Sequence, residues 1–329
     1  MPEIIKFSLY KNKVTRYVFG IVLACFVIPI CNAQNRHVNH FHFATWNSHS
    51  AHWQEVLDFM IAGNLDVLTI QEAGALPDEV RPSLGNAIPY DQTQPPLQDL
   101  PECYIGNVPD GNFDSSSNYQ SIPGPALSVL EYVWRVNGHT FYIYYYDRRL
   151  RQELVLGQNA PSADQNTAIV TRQRAERLFL MTPFDRRRYS INRPVIGAQL
   201  EDAVFFNLHA EPNNIRNEAS AVVNIIQNYM ANNYPTLTWA VTGDFNRPNN
   251  TINFPTSPAN TFTHLLSSGQ ITHPSPGTGR SEELDYGFWG GPIAREVSMA
   301  SIILLTDYIR YQIGRNIPNP SDHLPVKFN

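Results

Sequence analysis

Apolar and polar positions along this chain switch between two periods, and the switches mark its elements. In "HFHFATWNSHS", Phe41, Phe43 and Thr45 fall on every second residue, which predicts a strand ending at Asn47. Ser50 stands where it could cap the next segment. There Trp53, Val56, Leu57, Met60 and Ile61 recur at helical spacing, with Gly63 near the stop. "DVLTIQEAG" is a nearly continuous apolar run, as in a strand covered on both faces, and it ends in Gln71 and Glu72. Residues 77–125 are rich in Pro, Gly, Asn, Asp and Ser, show no period and read as a long surface excursion.

The second half repeats these signals. "ALSVLEYVWRV" and "HTFYIYYYD" flank Asn137-Gly138, a strong hairpin signal. "TAIVT" reads as a strand, and "RPVIGAQL" and "AVFFNLHA" as a hairpin turned at Glu201-Asp202. Ile215, Ala219, Val222, Ile226, Tyr229 and Met230 predict an amphipathic helix reaching Asn233. Leu237, Trp239 and Val241 then alternate with Thr238, Ala240 and Thr242 in a strand that stops at "GDFNRP". "ELDYGFW", "MASIILL" and "PSDHLPVKF" supply later strand candidates. Strands interleaved with helices and hairpins indicate a mixed-sheet α/β domain.

The N-terminus follows a different rule. Lys6, Lys11, Lys13 and Arg16 precede the apolar run Tyr17–Ile30, and "CNAQ" follows. A basic region, a short apolar run and small residues describe an export leader over residues 1–33, cut between Ala33 and Gln34. The run is short for a membrane span and holds Pro29, so no stable membrane anchor is expected. Residues 34–329 are then the working domain, secreted from its source cell. Cleavage removes Cys25 and Cys31 and leaves Cys103, so no intrachain disulfide can form. The leader holds four basic residues and one acidic residue, Glu3, so the formal charge of −5 becomes −8. That excludes a globally basic nucleic-acid surface, and any polyanion contact must be local. Lys327 is the only lysine after the leader.

Polar residues close the apolar runs: Asn47, Glu72, His209, Asp244, Asn246, Asp285, Asp322 and His323. Carboxylate and carboxamide oxygens suit a hard cation such as Mg²⁺. Histidines beside carboxylates supply acid–base and anion-binding groups. The set fits metal-assisted hydrolysis of a phosphate ester. No cluster has zinc-finger spacing, and no Gly-rich phosphate loop occurs. His42, His49 and His52 read as surface or packing residues, and the run Tyr142–Tyr146 as sheet packing.

The blocks "QEAG", "NLHA", "GDFN", "LDY" and "SDH" follow the order of the endonuclease/exonuclease/phosphatase superfamily, the DNase I-like fold. From Phe41 onward, "ATWN", "DVLTIQEAGALP", "YIYYYD", "NTAIV", "RPVIG", "FFNLHA", "TGDFNRP" and "SDHLPV" resemble the catalytic B subunits of cytolethal distending toxins. The resemblance implies a four-layer sandwich of two mixed β-sheets flanked by helices. It implies Mg²⁺, with Mn²⁺ able to substitute, held by Glu72 with Asn47 beside it and Asp322 sharing. Asp285 would orient His323, which activates water. Asp244 and Asn246 would position water and phosphate, His209 would bind the scissile phosphate, and Arg193 would contact phosphate. DNA is the implied substrate, nicked in the nucleus of a target cell after delivery by toxin carrier subunits. Phosphoinositide hydrolysis by the same constellation, or an inactive binding homologue, are the alternatives. Two departures stand out: a longer Pro-rich excursion, and Asp164-Gln165 where the toxin subunits carry an arginine.

Overall fold

The computed structural model describes residues 35–50, 52–82, 129–147, 166–181, 193, 195–210, 212, 218–252, 257–274, 281–303 and 321–329. The expected leader, most of the 77–125 excursion, Cys103, Asp164 and Gln165 lie outside these residues. Arg36–Asn329 form one compact unit.

Strands β1 (Phe43–Asn47), β2 (Val67–Gln71), β3 (Arg81–Pro82), β4 (Leu130–Val136), β5 (His139–Tyr146) and β6 (Thr167–Thr171) come first. They are followed by β7 (Arg177–Met181), β8 (Val195–Leu200), β9 (Ala203–His209) and β10 (Thr238–Asp244). The last are β11 (Thr261–Leu266), β12 (Asp285–Pro292), β13 (Ser301–Ile303) and β14 (Val326–Phe328). Helix α1 spans Trp53–Ala62 and α2 spans Glu218–Asn233. One sheet has the order β13-β14-β1-β2-β6-β5-β4-β3, the other β11-β12-β10-β9-β8-β7. Each sheet has one parallel pair, β1 with β2 and β9 with β10, and a helix crosses between its members. Every other named pair is antiparallel.

Three apolar layers hold the elements. Phe41, Phe43, Tyr144, Phe205 and Trp289 pack between the sheets. Trp46, Met60, Leu68 and Val170 pack under α1. Val223, Tyr229, Phe206 and Tyr286 pack under α2. The expected four-layer sandwich, helix on sheet on sheet on helix, is therefore present. Tyr144, Tyr145 and Tyr146 are buried in it. Among the described residues no helix is long and apolar enough to cross a membrane.

Turn chemistry matches the hairpins. Asn137 and Gly138 both have positive φ, 50° and 77°, between paired Val136 and His139. Glu201, at φ 55°, opens the two-residue turn between paired Leu200 and Ala203. One local expectation fails. Ser50 does not cap α1: the N-cap is His52, with no side-chain cap bond. Ser50 lies at φ 79° and donates its N–H to the Glu72 carbonyl at 3.0 Å. At the other end of α1, Lys327 Nζ donates to the Gly63 carbonyl at 3.1 Å, a cation at a helix C-terminus. The strands that the pattern did not reveal, β3, β7 and β11, are all sheet edges. An edge strand has one partner and need not be apolar on both faces.

Gly243, inside β10, allows β9 to approach closely. A Cβ there would lie 1.8 Å from the Leu208 carbonyl oxygen, whereas one on Gly138 would meet nothing within 4 Å. Gly243→Ala is expected to cost about 2–4 kcal/mol, and Gly138→Ala about 1 kcal/mol from its positive φ alone. Urea unfolding of the two variants checks the difference; equal losses would remove the close approach as the reason for glycine.

Candidate active site

Parallel strands bring their C-terminal ends to one edge of a sheet, and their antiparallel neighbours start from that edge. Asn47 ends β1, pairs with Gln71 at the end of β2, and Glu72 follows. In the facing sheet the register sets Asp244, the last residue of β10, opposite both His209 of β9 and Asp285 of β12. Residues in register point to the same face, so these three form a row. His323 reaches the row from the segment before β14. That segment is tied to β1: Ser321 Oγ donates to the Asn47 carbonyl at 2.6 Å, and Trp46 Nε1 donates to the His323 carbonyl at 3.2 Å.

The side chains meet closely. His323 Nδ1 lies 2.8 Å from Asp285 Oδ2, and its Nε2 lies 3.8 Å from Asp244 Oδ2. His209 Nε2 lies 3.6 Å from Asp244 Oδ2 and 3.7 Å from Glu72 Oε1. Asn47 Nδ2 donates to Asp244 Oδ2 at 3.0 Å and to Glu72 Oε1 at 3.3 Å. Asn246 donates its N–H to Asp244 Oδ1 at 2.8 Å, and its amide to Asp244 Oδ2 at 3.1 Å and the Ala210 carbonyl at 2.8 Å. Arg193 Nη1 donates to the same carbonyl at 2.6 Å. Asn47, His209, Asp244, Asp285 and His323 are all buried. Glu72 and Asn246 hold φ of 52° and 51°, the left-handed region, which Glu rarely adopts.

Thus the structure brings together Asn47, Glu72, His209, Asp244, Asn246, Asp285 and His323, with Arg193 at the margin. It does not bring Asp322 to Glu72. Asp322 is half-exposed and turned to His273, 3.2 Å away, with its other oxygen 3.9 Å from His323 Nε2. His49 is exposed, as the sequence suggests, but its Nδ1 stands 3.5 Å from Glu72 Oε2 at the rim.

Several partners escaped the sequence reading. Gln71 Nε2 donates to Thr45 Oγ1 at 3.1 Å and across the sheets to Asn207 Oδ1 at 2.6 Å. Asn207 Nδ2 in turn donates to the Ile70 and Ala168 carbonyls. Thr69 and Thr242 share a hydrogen bond of 2.8 Å. Thr272 Oγ1 accepts the N–H groups of Leu284 and Asp285. A signal existed for four of them. Thr45, Thr69, Asn207 and Thr242 are each two residues before Asn47, Gln71, His209 and Asp244, on the same face of otherwise apolar strands.

Burial pushes the Asp244 carboxyl up to about 6, with His323 opposing the shift. Burial works against a charged His323, but the Asp285 and Asp244 carboxylates outweigh it and lift its pKa to about 10. Burial also raises Glu72, against the hydrogen bond from Asn47. In the metal-free protein the neighbouring carboxylates thus favour a charged His323, while burial favours a protonated Asp244. Carboxylates crowded in a buried site fit a hard divalent cation. Glu72 carries carboxylate oxygens that could hold it. Asn47 presently turns its Nδ2 to Glu72 and Asp244, and its Oδ1 accepts the His49 N–H at 3.2 Å, so its amide must turn over to act as a ligand.

Two tests follow from this geometry. A pKa raised on folding means that the folded protein binds the proton more tightly. The His323 contribution to stability is then fully present below about pH 6.5 and is lost as pH rises towards about 10. In metal-free protein, the His323 ring signal in an NMR titration should have its midpoint well above neutrality, and Asp285→Asn should lower it by about one unit or more. An unmoved midpoint would detach Asp285 from His323. Second, Glu72→Gly should be more stable than Glu72→Ala by about 1 kcal/mol, because glycine tolerates the left-handed backbone. Urea unfolding reads this directly, and an alanine variant as stable as glycine would contradict the strain.

The protein-family model "Endonuclease/Exonuclease/phosphatase family" matches residues 44–323. A Salmonella typhi homolog of the B subunit of cytolethal distending toxin is 24% identical over 219 residues, 64% of this chain. That match spans 65% of the relative's length, just under two thirds. The crystal structure of the Haemophilus ducreyi cytolethal distending toxin has a chain with 22% identity and a TM-score of 0.58, covering 89% of this chain and 98% of that one. For the toxin of Actinobacillus actinomycetemcomitans the values are 21%, 0.57, 89% and 98%. At such identities the structural likeness speaks for the fold. The family match itself runs from β1 through His323 and takes in every residue of the site, and on that ground the chain belongs to the endonuclease/exonuclease/phosphatase family.

Proposed function

We propose that this protein is a Mg²⁺-dependent phosphodiesterase that nicks DNA. The observation carrying the proposal is the continuous contact from Asp285 through His323 and Asp244 to His209 and Glu72 at one end of both sheets. Asp244, held by Asn246 and Asn47, positions the attacking water and, in place of the His323 to which the resemblance gives that role, accepts its proton. His323, kept cationic by Asp285, faces the charge that develops on the phosphoryl oxygens, together with His209. Asn246 and Arg193 position the phosphate. The water oxygen joins phosphorus and the P–O3′ bond breaks as the departing oxygen takes a proton from His323, leaving 5′-phosphate and 3′-hydroxyl ends. Glu72, with Asn47 beside it, would hold the Mg²⁺, which draws charge from the phosphate; Asp322, which the resemblance adds to this set, is turned to His273 instead.

Likeness to the toxin subunits supports a fuller reading. Residues 1–33 direct export, residues 34–329 form the catalytic domain, and carrier subunits deliver it to a target cell, where it acts in the nucleus.

Supercoiled plasmid tests the activity. Mature protein should nick it with Mg²⁺ or Mn²⁺ and not with EDTA. His209→Ala, Asp244→Ala and His323→Ala should each lower turnover at least about a hundredfold with the fold retained. The His209/His323 double variant should lose little more than either single one, because the groups act as a unit. Glu72→Gln should raise the Mg²⁺ needed for half-activity. Phosphate release from a phosphoinositide without plasmid nicking would overturn the DNA assignment, and full activity in EDTA would overturn the metal.

A further inference from the structure

His273 has no part in the chemistry above, yet its ring centroid lies 4.7 Å from that of His323. Its Nε2 is 3.2 Å from Asp322 Oδ2, and His323 Nε2 is 3.9 Å from Asp322 Oδ1. One ligand atom from each of the three residues falls within 4.8 Å of the others. We infer that His273, Asp322 and His323 form a site for a Zn²⁺-class cation, separate from the Mg²⁺ position at Glu72, and that filling it silences the enzyme.

The donor set is the first reason. Two imidazoles and a carboxylate suit Zn²⁺, whereas Mg²⁺ prefers oxygen alone. The second reason is what lies behind His323. Its Nδ1 is bound to Asp285, which fixes the ring and leaves Nε2 as the ligand atom, from which the incoming cation displaces a proton to solvent. A carboxylate behind a histidine in this way is the usual support for a zinc ligand. Third, the backbone that carries His273 is fixed. His273 and Glu282 exchange both N–H···O bonds, at 3.0 and 3.3 Å, and the Thr272 carbonyl accepts the Leu324 N–H at 2.8 Å. The histidines are thus clamped on one frame. Tetrahedral Zn²⁺ with ligands near 2.0–2.1 Å needs donors about 3.3 Å apart. Asp322 stands 3.2 Å from His273 and 3.9 Å from His323, and no donor pair exceeds 4.8 Å, so closing on the cation takes shifts of about 1.5 Å at most, shared between Asp322 and the His273 ring. The exposure of Asp322 also leaves water access for a fourth ligand.

The inhibitory consequence rests on the phosphodiesterase reading. A cation on His323 Nε2 takes the atom that faces the phosphate. Binding itself does not rest on that reading, so it is measured apart. Mature protein is titrated with ZnCl₂ in excess MgCl₂ by calorimetry. Wild type and Glu72→Gln should bind Zn²⁺ alike, and His273→Ala should bind it at least about tenfold more weakly. His273→Gln serves as a second variant that retains a polar side chain. Equal affinity in wild type and the folded His273 variants, or no Zn²⁺ binding by wild type, would overturn the site. In a separate plasmid assay, each variant is normalised to its own rate in Mg²⁺. The Zn²⁺ concentration for half-inhibition should rise at least about tenfold in His273→Ala. An unchanged value with weakened binding would overturn the silencing and leave the site standing.

Discussion

The site is assembled from two sheets, and a few hydrogen bonds between those sheets decide how its halves meet. Glu72 and Asn47 belong to one sheet; His209, Asp244 and Asp285 belong to the other. Directly beneath them Gln71 bonds to Asn207 and Thr69 to Thr242. A purely apolar layer tolerates sliding, because dispersion has little direction. Buried amides and hydroxyls do not, since a lost partner costs about 1–3 kcal/mol while a made bond is worth only about 1. A shift of either sheet would strand Gln71, Asn207, Thr69 and Thr242 together. Their contribution is thus mainly to alignment, and stability comes from the apolar layers on either side.

Local preference yields to the site at several points. Glu72 and Asn246 adopt a backbone that costs each something. Glu72 is held there by neighbours: its carbonyl accepts both Ser48 Oγ and the Ser50 N–H. The carboxylates crowd where burial disfavours their charge, and one imidazolium joins two of them. Such a cluster is a poor way to stabilise a fold and a good way to hold charged groups ready for a phosphate and a cation.

Much of this could be seen in the residues alone. The central strands and both hairpins were legible because burial on two faces demands apolar runs and two-residue turns demand Asn-Gly or its like. β7 and β11 were not, since an edge strand is under weaker constraint. The polar row behind the site was visible as Thr and Asn on alternate positions, but such residues are easily taken for ordinary strand composition. His273 was hidden for a different reason. Nothing in its neighbourhood in the chain marks it, and only the return of the segment at Ser321 brings Asp322 and His323 beside it. Ser50 looked like a cap because its type fits, while its position is taken up with holding Glu72.

The pairing of β1 with β14 joins residues far apart in the chain. Trp46 and His323 are 277 positions apart, and Asn47 and Ser321 are 274 apart. Contacts of such separation are slow to form, because a long loop must close before anything is gained. His323 enters the row only through this closure. Chains that have collapsed but not yet docked that last strand contain the other site residues and lack the histidine that completes them. The row is therefore complete only once the two ends of the chain have met.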